Sequence, residues 1–451
     1  MMTAQNFAAK QAEKVLGHDD KGRVVHTDIS NPAREGGKYA DESGEKMKAL
    51  VWMGKDDVRV VETYKPKIVD EHDAIVKITG TTICGSDVHL LHGVIVQLEK
   101  GDILGHEFCG VVEAVGPAVK KLKPGERVVN SFCISCGECE FCKKKLTTAC
   151  EKTNASTVQE KLYGKRLSGI FGYSHFVGGF AGGQAEYVRV PLADNNLLKL
   201  PNSVPDEKGL YLSDVLPTSY HAVTYTGVNE GDTVAIWGLG PIGFMASYWA
   251  LKHKGAKRVI AIDNNWRADY AKSKIKGLET INYTRLKNGE TVPSKILEMV
   301  PGGVNVCIDA TGGEYGKGWT HKMELASGLE QDTSEMINEA IYSTRKFGRV
   351  GIIGDYVGFT NHFNVGALME LGITLVGCGQ APVHRYWEEL REMLANGKVD
   401  PTIMVTHRFK FDDIAKGYYM QEQRKDGLVK CFVETRFSAP RAPGTPELTS
   451  L

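Results

Sequence analysis

An α/β fold of two domains is predicted: a β-rich, partly closed sheet in the first half and a doubly wound parallel sheet in the second. Three observations carry this. Short apolar runs closely punctuated by glycine and proline fill the first half. From about residue 220, strand-like and helix-like runs alternate. A glycine-rich turn, WGLGPIG over Trp237–Gly243, stands at the first strand-to-helix junction.

Taken in order, residues 1 to about 46 are polar, with GHDDKGR and EGGKYADESGEK, and read as a disordered extension. KALVWMG and DVRVVE read as a strand pair, and AIVKITGTTIC and EFCGVVEAVG as further short strands. KPGERV is a Pro-Gly turn into another. DTVAIWG is a buried-strand run, followed by a helix over Ile242–Lys254 that stops at Gly255. RVIAID is the next strand, with a helix over Trp266–Lys276 behind it. VNVCIDATGG and GRVGIIGD follow, with a helical stretch near Ser334–Lys346 between them. Such alternation implies right-handed βαβ units. Trp387, Leu390, Met393 and Leu394 recur at helical spacing before Gly397. The tail from Ser438, rich in proline and small polar residues, reads as disordered.

Composition narrows the function classes. Lys+Arg and Asp+Glu both number 55, so the net charge is zero and no global field draws nucleic acid or an anionic membrane. The partner expected is a small molecule. There is no apolar run of 18 residues. The first 17 residues are faintly amphipathic but lack arginine and carry Glu13 early, so a cytoplasmic protein is expected rather than one with a mitochondrial presequence. Of ten cysteines, half fall between Cys133 and Cys150, which favours metal over disulfides.

Gly238, Gly240 and Gly243 are spaced GxGxxG directly after a strand. The first glycine permits the tight turn, the second lets a pyrophosphate approach the backbone, and the third lets helix and strand pack closely. The helix opening over Pro241, Ile242 and Gly243 turns its free N–H groups to the phosphates. Asp263 ends the next strand, 20 residues after Gly243, where an acid meets the adenosine ribose hydroxyls and repels a 2′-phosphate. NAD is therefore expected over NADP. Arg267 either stacks on the adenine or is a solvated helix residue.

Cys136, Cys139, Cys142 and Cys150 form C-x₂-C-x₂-C-x₇-C, a loop able to wrap four thiolates around a structural Zn²⁺. An iron–sulfur cluster is the competing reading, although typical ferredoxin runs are spaced differently. Cys133 lies just outside the pattern, and Lys143–Lys145 read as a solvated face. CGSDVH supplies Cys84, Ser86, Asp87 and His89, while GHEFCG supplies His106 and Glu107. A catalytic zinc wants three protein ligands and an open position. Cys84 and His106 give two, and the carboxylate of Asp214, in LSDVLPT, completes a set that is electrically neutral around Zn²⁺. Each has a bland reading as well: a core cysteine, a satisfied buried histidine, a helix cap.

Together these residues resemble the zinc-dependent medium-chain alcohol dehydrogenases. GHE-x₂-G-x₅-G-x₂-V runs from Gly105 to Val119, and CGSD, the cysteine lobe and GLGPIG are all present. The resemblance covers roughly Met47 to Arg436. GIFGYSH, GGQAEYVRVP and LSDVLPT are similar to the formaldehyde dehydrogenase-like branch, in which an aspartate replaces the usual cysteine as third zinc ligand. The resemblance implies one catalytic zinc on Cys84, His106 and Asp214, with Glu107 behind it as an occasional ligand, and one structural zinc on the four cysteines. It implies that Asp87 orients His106, and that Ser86 accepts the substrate proton and passes it through the ribose hydroxyls to His89. It also implies a GroES-like catalytic domain over 47–214 and 379–436, a Rossmann domain over 215–378, and a homo-oligomer. The leading expectation is oxidation of formaldehyde hydrate, its glutathione adduct or a small alcohol by NAD. A polyol or secondary-alcohol dehydrogenase and a non-catalytic NAD sensor are the rivals. The region Phe171–Phe180 is expected to border the pocket.

Overall fold

Along strand Lys46–Gly54, Met47, Ala49 and Val51 turn to one buried side, while the other side runs from exposed Lys46 and Lys48 to buried Leu50 and Trp52. The strand forms an antiparallel hairpin with Asp57–Tyr64. The computed structural model describes residues 11–12, 15, 29–311, 332–423 and 426–450. They divide into two units, Met1–Asp214 with Pro382–Leu451, and Val215–Ala381.

The first unit is built on a seven-stranded sheet. Its path runs Val405–Lys410, Lys430–Glu434, Ala74–Thr81, Phe108–Val115, Arg127–Asn130 and Leu197–Lys199, with Tyr187–Val190 also paired to Ala74–Thr81. Ala74, Val76 and Ile78 face one apolar cluster with Phe108, Val112 and Val128; Ile75 faces another with Met47, Ala49, Val51 and Ile103. Strand Ala74–Thr81 is thus buried on both sides, with Lys77 its one residue that is not fully buried. Thr81 pairs antiparallel with Phe108, and Val433 pairs with Thr81. This register brings the end of one strand, the start of the next and the C-terminal strand to one place. Cys84, His106, Glu107 and Lys430 all lie there.

The second unit carries a six-stranded, all-parallel sheet ordered Glu279–Asn282, Arg258–Asp263, Thr233–Trp237, Val304–Asp309, Thr344–Ile352, Thr374–Gly377. By position that is 3-2-1-4-5-6, the order of dinucleotide-binding sheets, whose ligand crevice opens where the order reverses. Helices Pro241–Lys252 and Asn265–Lys274 follow the first two strands. Proline at the first helical position supplies a preset φ and lacks only an N–H that would be unpaired anyway.

The ends of the chain differ from the sequence expectation. Most of residues 1–28, and Leu451, lie outside the described residues. Within residues 29–46, read from composition as part of a disordered extension, Ile29, Ser30, Asn31 and Pro32 are buried, while the rest are partly or fully exposed. The tail docks too, with Thr449 N–H donating to Arg408 O and Ala442 N–H to Glu207 Oε1. Both segments are held through backbone and polar side chains, so apolar periodicity gives no sign of them. No helix among the described residues is long and apolar enough to cross a membrane.

Candidate active site

Cys84 stands at the start of helix Gly85–Leu91 and His106 just before strand Phe108–Val115. Asn130 fixes the second of these backbones, donating from Nδ2 to His106 O and accepting from Phe108 N–H, both at 2.8 Å. Asp214 arrives from the far end of the first unit's long segment. The stretch before it is tied down by Phe132 N–H donating to Ser213 O and Trp387 Nε1–H donating to Leu212 O.

These contacts bring one donor atom each from Cys84, His106, Glu107 and Asp214 within 4.8 Å of one another. The two ring nitrogens of His106 face different ways. Nε2 lies 3.4 Å from Asp214 Oδ2 and 3.9 Å from Glu107 Oε1, whereas Nδ1 lies 3.4 Å from Asp87 Oδ1. The edge of a tetrahedron of N and O ligands at ~2.1 Å from Zn²⁺ is ~3.4 Å, so the Nε2–Oδ2 spacing is that of two ligands sharing one metal. Glu107 Oε2 is buried without a hydrogen-bond partner, a further sign of a cation-sized need. Burial opposes the imidazolium form of His106, yet Asp87, Asp214 and Cys84 raise its pKa well above the usual value. The donor set collects positive charge, and it fits zinc.

Behind His106 the residues form a buried chain. Tyr418 Oη donates to Gln184 Oε1 at 2.6 Å, and Gln184 Nε2 donates to Asp87 Oδ2 at 3.1 Å and to Thr82 O at 2.9 Å. Cys84 N–H donates to the same Asp87 oxygen. Asp87, Gln184 and Tyr418 are each at most 1% exposed, so no water competes for these bonds. Sequence reasoning found Asp87 but neither Gln184 nor Tyr418. Groups that orient a metal's histidine are worth ~10–100-fold in metal affinity. Gln184→Leu is therefore expected to shed the catalytic-site zinc to a chelator roughly tenfold faster or more while the cysteine-lobe zinc stays, as read by a chromophoric chelator.

The aromatic walls are Phe132 and Tyr173, whose rings meet His106 edge-on at 6.4 Å and 5.7 Å. Tyr173 lies inside the stretch expected to border the pocket. Its neighbour Gly172 has φ +57°, and a Cβ there would sit 2.3 Å from Gly105 N, so only glycine lets this loop close on the backbone carrying His106. Ser86 and His89 stand three residues apart on helix Gly85–Leu91, hence on one face, and both are partly exposed.

The four-cysteine lobe is compact. Sγ atoms of Cys136, Cys139, Cys142 and Cys150 lie within 4.8 Å of one another, and Cys136 to Cys142 is 3.8 Å. That is far beyond a disulfide and equals the ~3.8 Å edge of a Zn–S₄ tetrahedron with bonds of ~2.3 Å. The neighbouring Cys142 and Cys150 thiols hold the Cys136 thiol pKa well down. Cys133 stays apart, its thiol against Ser131 and Thr147 and its pKa pushed up to about 11 by burial. Lys143, Lys144 and Lys145 are exposed, with Lys144 on Glu140 and Lys145 on Glu388.

Next to the lobe, His384 Nε2–H donates to Asn195 O at 2.7 Å and its ring packs on Trp387, leaving Nδ1 buried without a partner. Burial, with Lys145 and Lys121 nearby, lowers its pKa from 6.5 to about 4; only the Asn195 carbonyl works the other way. A depressed pKa gives stability that is complete above the unfolded value and lost as pH falls through the folded one. Between pH 6.5 and 4 the native chain should lose up to about 3 kcal/mol more stability than His384→Gln. Denaturant midpoints of the two proteins across that range check it.

In the second unit, Gly238 has φ +86° and Gly243 would place a Cβ 1.8 Å from Gly238 O, so both positions require glycine. Gly240 is open, its imagined Cβ meeting only Arg267 Nη1 at 3.9 Å. Asp263 accepts from Leu239 N–H and Asn264 N–H, each at 2.6 Å, which fixes the acid beside the glycine turn. Arg267 lies over the Trp266 ring at 5.5 Å. Pro241 and Ile242 open the helix, as the spacing predicts.

Comparison with known proteins bears on this geometry. Residues 70–202 match the alcohol dehydrogenase GroES-like domain. A zinc-type alcohol dehydrogenase-like protein of Schizosaccharomyces pombe is 44% identical over 431 residues, covering 95% of this chain and 98% of its own. The chain belongs to the zinc-type medium-chain alcohol dehydrogenase family. It is an enzyme, an oxidoreductase whose cofactors are zinc and a nicotinamide dinucleotide. The glutathione-independent formaldehyde dehydrogenase of Pseudomonas aeruginosa PAO1 is 33% identical over 395 residues, with 82% of this dehydrogenase and 94% of that one aligned. The alcohol dehydrogenase of Thermus sp. ATN1 shares the fold with a TM-score of 0.72 at 30% identity, covering 86% of this chain and all of that one.

Proposed function

We propose that this dehydrogenase oxidises formaldehyde hydrate, or a small alcohol of similar size, with NAD as hydride acceptor. The observation that carries the reading is the carboxylate of Asp214 set 3.4 Å from His106 Nε2. Likeness to a formaldehyde dehydrogenase over 94% of that enzyme supports it.

In this reading Cys84, His106 and Asp214 hold the catalytic zinc, Glu107 stands behind it, and Cys136, Cys139, Cys142 and Cys150 hold a structural one. Bound there, zinc supplies a Lewis acid that acidifies a substrate hydroxyl near neutral pH, and the nicotinamide supplies the hydride acceptor. The chain's own residues do the rest. Asp87 keeps the His106 ring turned so that Nε2 faces the donor set. Ser86 takes the substrate's hydroxyl proton and His89, on the same helix face, receives it toward solvent. Phe132 and Tyr173 exclude water from one side of His106. Gly238, Gly240, Pro241, Ile242 and Gly243 cradle the pyrophosphate, with Asp263 on the ribose hydroxyls and Arg267 beside them.

A carboxylate at the end of strand Arg258–Asp263 supports NAD over NADP. A homo-oligomer is supported by the outer edge of strand Thr374–Gly377, the last of its sheet, near which the exposed apolar Phe359, Val365 and Met369 fall in sequence. Ten cysteines, none of them in a disulfide, agree with a reducing, cytoplasmic setting.

The deciding experiment is NADH formation from formaldehyde by zinc-replete protein, with and without glutathione. A rate independent of glutathione is expected. Strict dependence would make the glutathione adduct the substrate. Silence in both, with turnover of polyols or secondary alcohols, would overturn the formaldehyde assignment.

A further inference from the structure

A buried carboxylate joins three parts of the first unit that are distant in sequence. Asp102 is fully buried, four residues before His106. Its Oδ1 accepts from Ser30 Oγ at 2.5 Å and from the Arg34 guanidinium, and lies 3.5 Å from His175 Nε2; its Oδ2 accepts from Glu99 N–H at 2.7 Å. Arg34 Nη1 also donates to Glu99 Oε2 at 2.5 Å. The N-terminal segment thus brings a positive charge and a hydroxyl to an acid that has no access to water.

Backbone pairing runs alongside. Ile103 N–H donates to Ser30 O and Ala181 N–H donates to Ile29 O, so Ile29–Ser30 lies between the approach to His106 and the return of the Phe171–Phe180 loop. Asn31 Nδ2 donates to Gly101 O at 2.7 Å, and Asn31 Oδ1 accepts from Thr63 Oγ1. The loop is in turn fastened to the same approach: His175 N–H donates to Gln97 O, and Gly182 N–H to Ile103 O. Its inner residue is Tyr173, edge-on to the His106 ring.

We propose that Ile29–Arg34, which precedes the matched family domain, is part of the active site: through Asp102 and His175 it clamps the Phe171–Phe180 loop and so positions Tyr173 against His106. Arg34 is the positioning residue and Tyr173 the side chain it places at the substrate side. That Tyr173 faces substrate rests on the proposed dehydrogenase site; the clamp does not.

Two measurements on full-length protein keep these separable. Hydrogen exchange reads the clamp without turnover. In Arg34→Ala, amides of 172–182 should exchange at least roughly tenfold faster than in the native chain, with strand Phe108–Val115 unchanged and Arg34→Lys intermediate. The second is a double-mutant cycle of Arg34→Ala and Tyr173→Leu on the alcohol or aldehyde the enzyme turns over. Each single change should raise substrate KM by about tenfold, with KM for NAD and two zincs per chain retained. The pair should be little worse than either one, although the two residues belong to separate segments. Unchanged exchange in 172–182 overturns the clamp, and a fully additive cycle overturns the placing of Tyr173 by Arg34. Altered exchange with no turnover of any alcohol or aldehyde leaves the clamp standing and removes the proposed substrate site instead.

Discussion

Asp214→Ala is expected to bind one zinc per chain instead of two and to lose turnover by at least ~10³-fold, the several kcal/mol that a Lewis acid contributes. The reason is the donor count. Without Asp214, Cys84 and His106 leave a thiolate and an imidazole beside Glu107, whose nearer oxygen is already engaged by Lys430 at 2.5 Å. Two ligands and a compromised third do not hold zinc against competing chelators. The cysteine lobe shares no residue with this set, so its zinc should remain. Asp214→Cys should keep both zincs, because a thiolate preserves the charge balance of two anionic ligands and one neutral imidazole. Asp214→Asn should fall between, keeping an oxygen donor and losing the charge. Zinc content by elemental analysis and NADH formation under saturating cofactor read all three. Two zincs in Asp214→Ala would show that Glu107 leaves Lys430 and takes the position.

Why the cysteine lobe was legible and Gln184 was not is a matter of chain distance. The cysteine lobe and the GxGxxG turn are local: their ligand atoms and their turn come from adjacent residues, so spacing alone encodes geometry. Cys84, His106 and Asp214 are spread along the chain, and the family resemblance, not spacing, joined them. Gln184 reaches Asp87 from 97 positions away, Tyr418 reaches Gln184 from 234, and Lys430 reaches Glu107 from 323. No period or spacing signals such pairs. The strands of the second unit were readable because burial on both faces writes continuous apolar runs, as in VAIW and VIAI. Ile29–Arg34 has one large aliphatic residue, Ile29, and is held by backbone bonds and a buried acid, which leaves no apolar pattern to read. Composition there indicates solvation although Ser30 is fully buried.

Lys430→Met should strongly destabilise the first unit. Lys430 and Glu107 are each at most 1% exposed, and Nζ donates to Glu107 Oε1 at 2.5 Å and to Ile83 O at 3.1 Å. Removing the cation takes from the buried carboxylate the partner bonded to its Oε1, and breaking a buried pair this way costs about 3–5 kcal/mol. It also orphans the Ile83 carbonyl, in the stretch that leads to Cys84. Truncating both partners is a different matter. Glu107→Gln with Lys430→Met replaces an ion pair by neutral groups of similar size, and such replacements are often near neutral. The double variant should therefore recover most of the loss, a coupling of several kcal/mol in a denaturant-unfolding cycle on zinc-loaded protein. The cycle separates two accounts of the pair. A strong coupling means that Glu107 is ionised and needs Lys430. A loss under about 1 kcal/mol in Lys430→Met would instead mean that the buried carboxyl takes up a proton once its partner is gone, neutralising itself.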